Sequence, residues 1–406
     1  MDKPKYFQFS TIVHLLAIVL FFLLIPVQYI RDLWSMFVVD ISLIYPIGGI
    51  CITLLVLYLI DLSGRRNPKE LFYHILVILC LANMLFSICV AYAGIETKTL
   101  PGSRAQFFQQ LSIFVRHVSL FLTGYYLTTT KRYNKLGILF FITMAICTKP
   151  FIDFSKLTLD LKHAVGPILY LSLGDYLVLM SFFLFSLNRN TLFRIILILT
   201  STVLLFLINS RMSFYAYIFL IPLFIFFSKK TKLFVSLIAI LIIAGSVLLP
   251  IHWNTILYST RMVGIFNPEG DISVRGRVNL WEAGLERIKR HPFEGDYSAK
   301  ISRVPGKLFT GYVHNILSYW HTYGITVFFM VIFLSLAGLN FVIKVLFGKR
   351  TSQLDVNNSD VSFFILTYLF AFVSAFIARA YVHSILWLSF GLFLNIRFRR
   401  ERAEIP

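Results

Sequence analysis

The chain has 406 residues, 58% of them hydrophobic and only 14% charged, and its mean hydropathy is strongly positive. That composition excludes an ordinary soluble globular domain. The formal net charge of +19 is carried largely by short connections between apolar runs, the pattern by which a membrane protein records its orientation, so the charge makes no case for nucleic acid.

Apolar runs recur from end to end, each of about 17 to 25 residues and so able to cross a hydrocarbon core at about 1.5 Å per residue. The pattern predicts an all-α integral membrane protein with about twelve transmembrane helices, near 9–30, 41–60, 71–94, 112–130, 137–152, 168–187, 191–209, 212–228, 233–251, 323–346, 361–379 and 381–396. The first run follows Lys3 and Lys5 but ends in LIPVQYIRDLW with no small-residue cleavage pattern, and is read as a retained helix. Cys51, Cys80, Cys89 and Cys147 all fall inside apolar runs and offer neither a disulfide framework nor metal-ligand spacing.

Residues 191–228 can be one long interrupted helix or two helices meeting at INSRM, and the distribution of basic residues decides between them. With a hairpin at Arg211, twenty Lys and Arg residues fall on short segments of one side and eight on those of the other. A single helix would send the last three basic clusters to the wrong side. The expected arrangement therefore has both termini in the cytoplasm, with Arg211 at the outer tip of a tight turn. There it either snorkels to the interface or meets a partner in a polar cavity.

Domain organisation follows: residues 1–251 carry the first nine helices, 252–322 form a periplasmic loop, and 323–406 carry the last three helices and a basic cytoplasmic tail. The loop holds nine basic residues, Arg275 and Arg277 among them, against the orientation bias of the rest, which suggests an anionic ligand. Within it, SVRGRVNLWEAGLERIKRHPFEGD reads as an amphipathic helix with Ser273 as N-cap and His291-Pro292 as its stop. Arg275 and Arg277 at its start would either bind phosphate beside free backbone N–H groups or touch lipid headgroups. In GYVHNILSYWHTYG, His314 and His321 are spaced to share a helical face, and an outer-face His314 is equipped to take a proton from a hydroxyl. Arg116, Asp175 and Arg379 fall near the outer ends of their helices and either line a polar cavity or pair with one another. No metal-ligand cluster and no nucleotide-binding loop is present, so no cofactor or metal is implied by any local pattern.

Three of these stretches in this order resemble the O-antigen ligase and O-antigen polymerase superfamily of bacterial envelope glycosyltransferases. LINSRMS matches the family's arginine at an outer helix junction, which puts it on Arg211; RGRVNLWEAGLERIKRHPFEGD puts a second family arginine on Arg277; VHNIL ahead of YGITVFFM gives His314 and Asn315. The resemblance implies metal-independent transfer of a glycan from a polyprenyl-pyrophosphate carrier on the periplasmic face of the bacterial inner membrane. Arg211 and Arg277, supported by Arg275, would hold the diphosphate, with His314 as base; Arg116, Arg379, Asn315, His321 and Asp175 would line the substrate cavity. Inversion follows if attack is a single displacement. The implied partners are a lipid-linked oligosaccharide donor and acceptor, membrane lipid, a flippase and a chain-length regulator. No separate soluble module is visible for a large core oligosaccharide, which favours a polymerase over a ligase acting on lipid A core. A flippase for lipid-linked sugars is the reading from another class, and it would call for internal repeats and midplane charges that the chain does not display.

Overall fold

The computed structural model describes residues 4–34, 44–65, 67–96, 103–153, 158–159, 169–236, 239, 272–296, 315–348, 355–380 and 383–403. The described chain is helical apart from one two-residue antiparallel pairing, β1 (Ile152–Asp153) with β2 (Thr158–Leu159). In chain order the helices are α1 (Pro4–Phe22), α2 (Gln28–Trp34), α3 (Ile44–Ser63), α4 (Pro68–Glu96), α5 (Ser103–Tyr126), α6 (Asn134–Thr148) and α7 (Leu169–Leu187). They continue with α8 (Thr191–Ile208), α9 (Arg211–Phe227), α10 (Ile272–Arg290), α11 (Leu317–Tyr323), α12 (Ile325–Phe347), α13 (Ser359–Ile377) and α14 (Ile385–Ala403).

Local signals explain several boundaries. Asn190 caps α8 by accepting from the Phe193 N–H, and Asn358 caps α13 by accepting from the Asp360 N–H. Pro68 opens α4, where its missing N–H costs nothing. Between α1 and α2, Pro26 sits inside a wider π-turn, Leu23–Val27, which keeps the helix continuous where proline removes a hydrogen bond.

The expectation of about twelve membrane helices is corrected. Among the described residues six helices are long and apolar enough to cross a membrane: Thr11–Trp34, Pro46–Ser63, Pro68–Val90, Thr191–Ile208, Ile325–Phe347 and Ser359–Ile377. Three expected spans are shorter apolar helices, Leu171–Leu187, Arg211–Phe227 and Ile385–Phe398. A helix of 17 residues, such as α9, covers only about 26 Å at 1.5 Å per residue, short of a ~30 Å core. The 15-residue α6 is shorter again, and α5 begins in the polar SRAQFFQQ and carries Arg116 and His117. The ninth expected span, 233–251, lies mostly outside the described residues.

The most intimate packing joins α5 and α14. They run in the same direction, since His117 meets Ser384 at one end and the Asn395 side chain donates to the Leu127 carbonyl (3.0 Å) at the other. Gly124 and Gly391 allow this. A Cβ on Gly124 would collide with the Leu388 carbonyl, and one on Gly391 with that of Phe121, so the backbones touch where lipid supplies no hydrophobic drive. Around this pair, α7 and α13 contribute the densest core, with Phe182, Phe183, Phe363 and Phe364 fully buried.

Candidate functional site

The turn between α8 and α9 carries Arg211. Asn209 closes α8 in the left-handed conformation (φ 60°), which asparagine tolerates better than most residues, and its N–H bonds the Phe206 carbonyl at 2.9 Å. Arg211 is then the first residue of α9, half-exposed, while Ser210 and Ser213 on either side of it are fully buried with their hydroxyls 2.8 Å apart. The expected hairpin is present at its expected place.

What seats this turn is a buried ion pair. Asp175, on the second turn of α7, accepts from the Ser213 hydroxyl at 2.6 Å and receives a two-pronged guanidinium from Arg379, Nη2 to Oδ1 at 2.9 Å and Nε to Oδ2 at 3.1 Å. Arg379 Nη2 also donates to Ser213 Oγ at 3.1 Å. His383 Nδ1 lies 3.2 Å from the second carboxylate oxygen, and its buried Nε2 has no hydrogen-bond partner among the described residues. Only 5% of the Arg379 side chain and 4% of the Asp175 side chain is exposed, so this carboxylate and guanidinium are held in low dielectric and depend on each other. The connection between α13 and α14 carries both Arg379 and His383. Burial pushes the His383 imidazole below its usual range, against the opposing pull of the Asp175 charge.

Gly174 completes the seat. A Cβ there would lie 2.6 Å from Ser210 Cβ and 2.8 Å from Ser213 Oγ, so only glycine lets α7 approach the Arg211 turn this closely. Arg116 extends the cluster. Its guanidinium bonds the Tyr176 hydroxyl, lies 5.3 Å from the Tyr176 ring centre, and is within electrostatic reach of Asp32 and Asp175. Next to it, His117 Nδ1 meets Ser384 Oγ at 2.8 Å and the imidazole stacks on Trp387.

Other expected residues fall at different places. Arg275 and Arg277 are on α10 as expected, but their side chains lie outside the described residues, as does His314. The helix begins at Ile272, so Ser273 is inside its first turn and not its N-cap; its end at Arg290, before His291-Pro292, is as expected. Asn315 accepts from the Leu317 N–H at 3.0 Å, turning the chain into α11. His321 is buried within α11, which begins at Leu317, and its carbonyl receives the Asp296 N–H at 2.7 Å. With Trp320 Nε1 donating to the Pro292 carbonyl at 2.7 Å, that bond docks the end of α10 on α11. The site thus brings together Arg211, Asp175, Arg379 and Arg116. Sequence reading missed Ser210, Ser213 and Tyr176; the SRMS spacing, two serines one helical turn apart around an arginine, was the available signal.

Helices of membrane-spanning length, with guanidinium groups gathered around a buried carboxylate at one end of the bundle, define a multi-pass membrane protein with a cationic polar site. Within that class the sequence is more specific: residues 195–332 match the family described as O-antigen ligase, and this segment is a domain of the O-antigen ligase and polymerase superfamily. No curated protein matches the chain significantly.

Proposed function

We propose that the protein is a surface-polysaccharide polymerase that moves a glycan from a polyprenyl-pyrophosphate carrier to the non-reducing end of a second lipid-linked repeat unit, on the periplasmic face of the inner membrane. The observation that carries this reading is that the matched segment, residues 195–332, begins in α8 and ends in α12, and so contains Arg211, Arg277 and His314 together. Both termini are cytoplasmic in this reading, and the stretch from 252 to 322 is the periplasmic loop over the site.

Chemistry supports the assignment of roles. The leaving group is a diphosphate, whose developing charge is stabilised by fixed guanidinium forks aimed at it before the reaction starts. Arg211, half-exposed between the buried Ser210 and Ser213, suits that role, with Arg277 and Arg275 on α10 as the second clamp. His314 takes the proton from the acceptor hydroxyl as the new bond forms, and the configuration at the anomeric carbon inverts in this single displacement. Asp175 and Arg379, nearly inaccessible, position the Arg211 turn in this reading.

A second reading, the ligase, is favoured by the description of the matching family. The two are separated by reconstituting purified protein in nanodiscs with lipid-linked repeat units, with EDTA present and with or without lipid A core. Longer lipid-linked chains from wild type, absent with Arg211→Ala and His314→Ala, are expected. Product found only on lipid A core would make the protein a ligase, and movement of lipid across a bilayer with no new glycosidic bond would make it a flippase.

A further inference from the structure

The opposite end of the bundle holds a feature that glycan transfer does not use. From Ser384, beside the Arg211 seat, α14 runs about 20 Å at 1.5 Å per residue to Arg397. There a cavity of about 330 Å³ opens between the start of α4 and the end of α14, lined by Pro68, Lys69, Phe72, Tyr73 and Arg397. We propose that this cavity binds the phosphate headgroup of an anionic phospholipid.

The argument begins with charge. Among the described residues neither the Lys69 ammonium nor the Arg397 guanidinium has an acidic partner. The described acids nearby, Asp61 and Glu70, are already engaged. Asp61 accepts from Arg65 Nη2 at 2.6 Å and from the Tyr125 hydroxyl at 2.7 Å, and the buried Glu70 pairs with Arg65. Among the described residues, two cations therefore border one cavity with no acidic partner.

Geometry then selects the ligand. The Arg397 guanidinium lies 4.4 Å from the Tyr73 ring centre, 5.2 Å from that of Phe398 and 5.5 Å from that of Phe393, with both phenylalanines fully buried. Aromatic faces hold the planar group in one orientation and occupy its faces, which leaves its N–H edge for oxygen ligands, the arrangement in which arginine grips phosphate. Lys69, exposed on the first turn of α4, adds a mobile point charge at the rim.

The surroundings favour a lipid over free phosphate as the source. The candidate span of α4 begins at Pro68 and the apolar part of α14 ends at Phe398, which sets the cavity at headgroup level. One wall continues into exposed apolar surface, Phe72 at 51% and Phe333 at 45%, with their rings in edge contact at 5.8 Å. Acyl chains can lie on that surface while the phosphate enters the cavity, a combination that inorganic phosphate does not need.

The test uses the full-length protein in neutral detergent, titrated with short-chain phosphatidylglycerol, phosphatidylcholine or inorganic phosphate and read by thermal shift and by native mass spectrometry. Phosphatidylglycerol is expected to raise the unfolding midpoint and to remain bound at one copy, with no such effect from phosphatidylcholine or phosphate. Arg397→Gln is expected to weaken this binding about tenfold, the loss of one charge-assisted contact pair, with Arg397→Lys between it and wild type. Because Arg397 also packs on aromatic rings, Lys69→Gln at an exposed position is the second variant, expected to weaken binding without lowering the unlipidated midpoint. Arg132→Gln, an exposed cation at the same end of the bundle, controls for general surface charge and is expected to bind as wild type. Equal loss in Arg132→Gln, unchanged binding in both Arg397→Gln and Lys69→Gln, or equal stabilisation by inorganic phosphate would each overturn the proposal.

Discussion

Arg211 owes its position to residues that surround it without being near it in the sequence. Ser213 donates to Asp175, Arg379 grips the same carboxylate, and Gly174 leaves room for Ser210. Removing one partner of a buried pair leaves the other charge without compensation, at a cost of about 3–5 kcal/mol. Asp175→Asn is therefore expected to lower the unfolding midpoint in detergent substantially, and Arg379→Met in the same chain is expected to recover part of that loss, since the uncompensated buried guanidinium is then gone. Gly174→Ala tests the seat by sterics alone: its Cβ must push the Arg211 turn away, so glycan transfer should fall more than stability does, as read by activity and melting of the same preparation. At this scale the sequence announced Arg211, because an arginine in an apolar run is conspicuous. It announced Asp175 and Arg379 only as isolated charges, because a pair 204 residues apart leaves no trace in spacing.

Among elements, the contact between α5 and α14 carries the site as much as any side chain does. It aligns His117 with Ser384 and brings the connection that holds Arg379 over α7. Gly391→Val would force two backbones apart along this contact, and overpacking of this kind costs about 1–3 kcal/mol or more, measurable as a lower midpoint with transfer reduced in proportion. The turn after α9 gives a pH prediction. Burial, with Arg194 and Arg189 nearby, brings the half-buried Lys230 ammonium down to about 8. Unfolded, that lysine holds its proton up to its ordinary value near 10.4, so between these values the unfolded chain binds more protons and stability rises with pH. Its contribution is fully present above the unfolded value and is lost as pH falls to about 8. Lys230→Met should flatten the slope of melting midpoint against pH between about 8 and 10, and an unchanged slope would rule the group out.

Over the whole molecule, apolar runs were legible from composition, since burial in lipid demands them, and most predicted runs are helices where they are described. Span length was less legible. The run at 168–187 has its apolar helix at Leu171–Leu187, shorter than a span, and the run at 112–130 belongs to α5, which begins in polar residues and whose Arg116 bonds the Tyr176 hydroxyl inside the bundle. Such helices persist because neighbours such as Tyr176 satisfy their polar groups, information that a hydropathy window does not contain. The central claim is that this scaffold presents Arg211 to a lipid-linked diphosphate. The most direct measurement is the affinity of nanodisc-embedded protein for a polyprenyl pyrophosphate, for wild type and for Arg211→Ala of equal melting midpoint. Binding weakened about tenfold or more by the substitution is the result expected for a lost charge-assisted fork; equal affinity in the two proteins would contradict the claim.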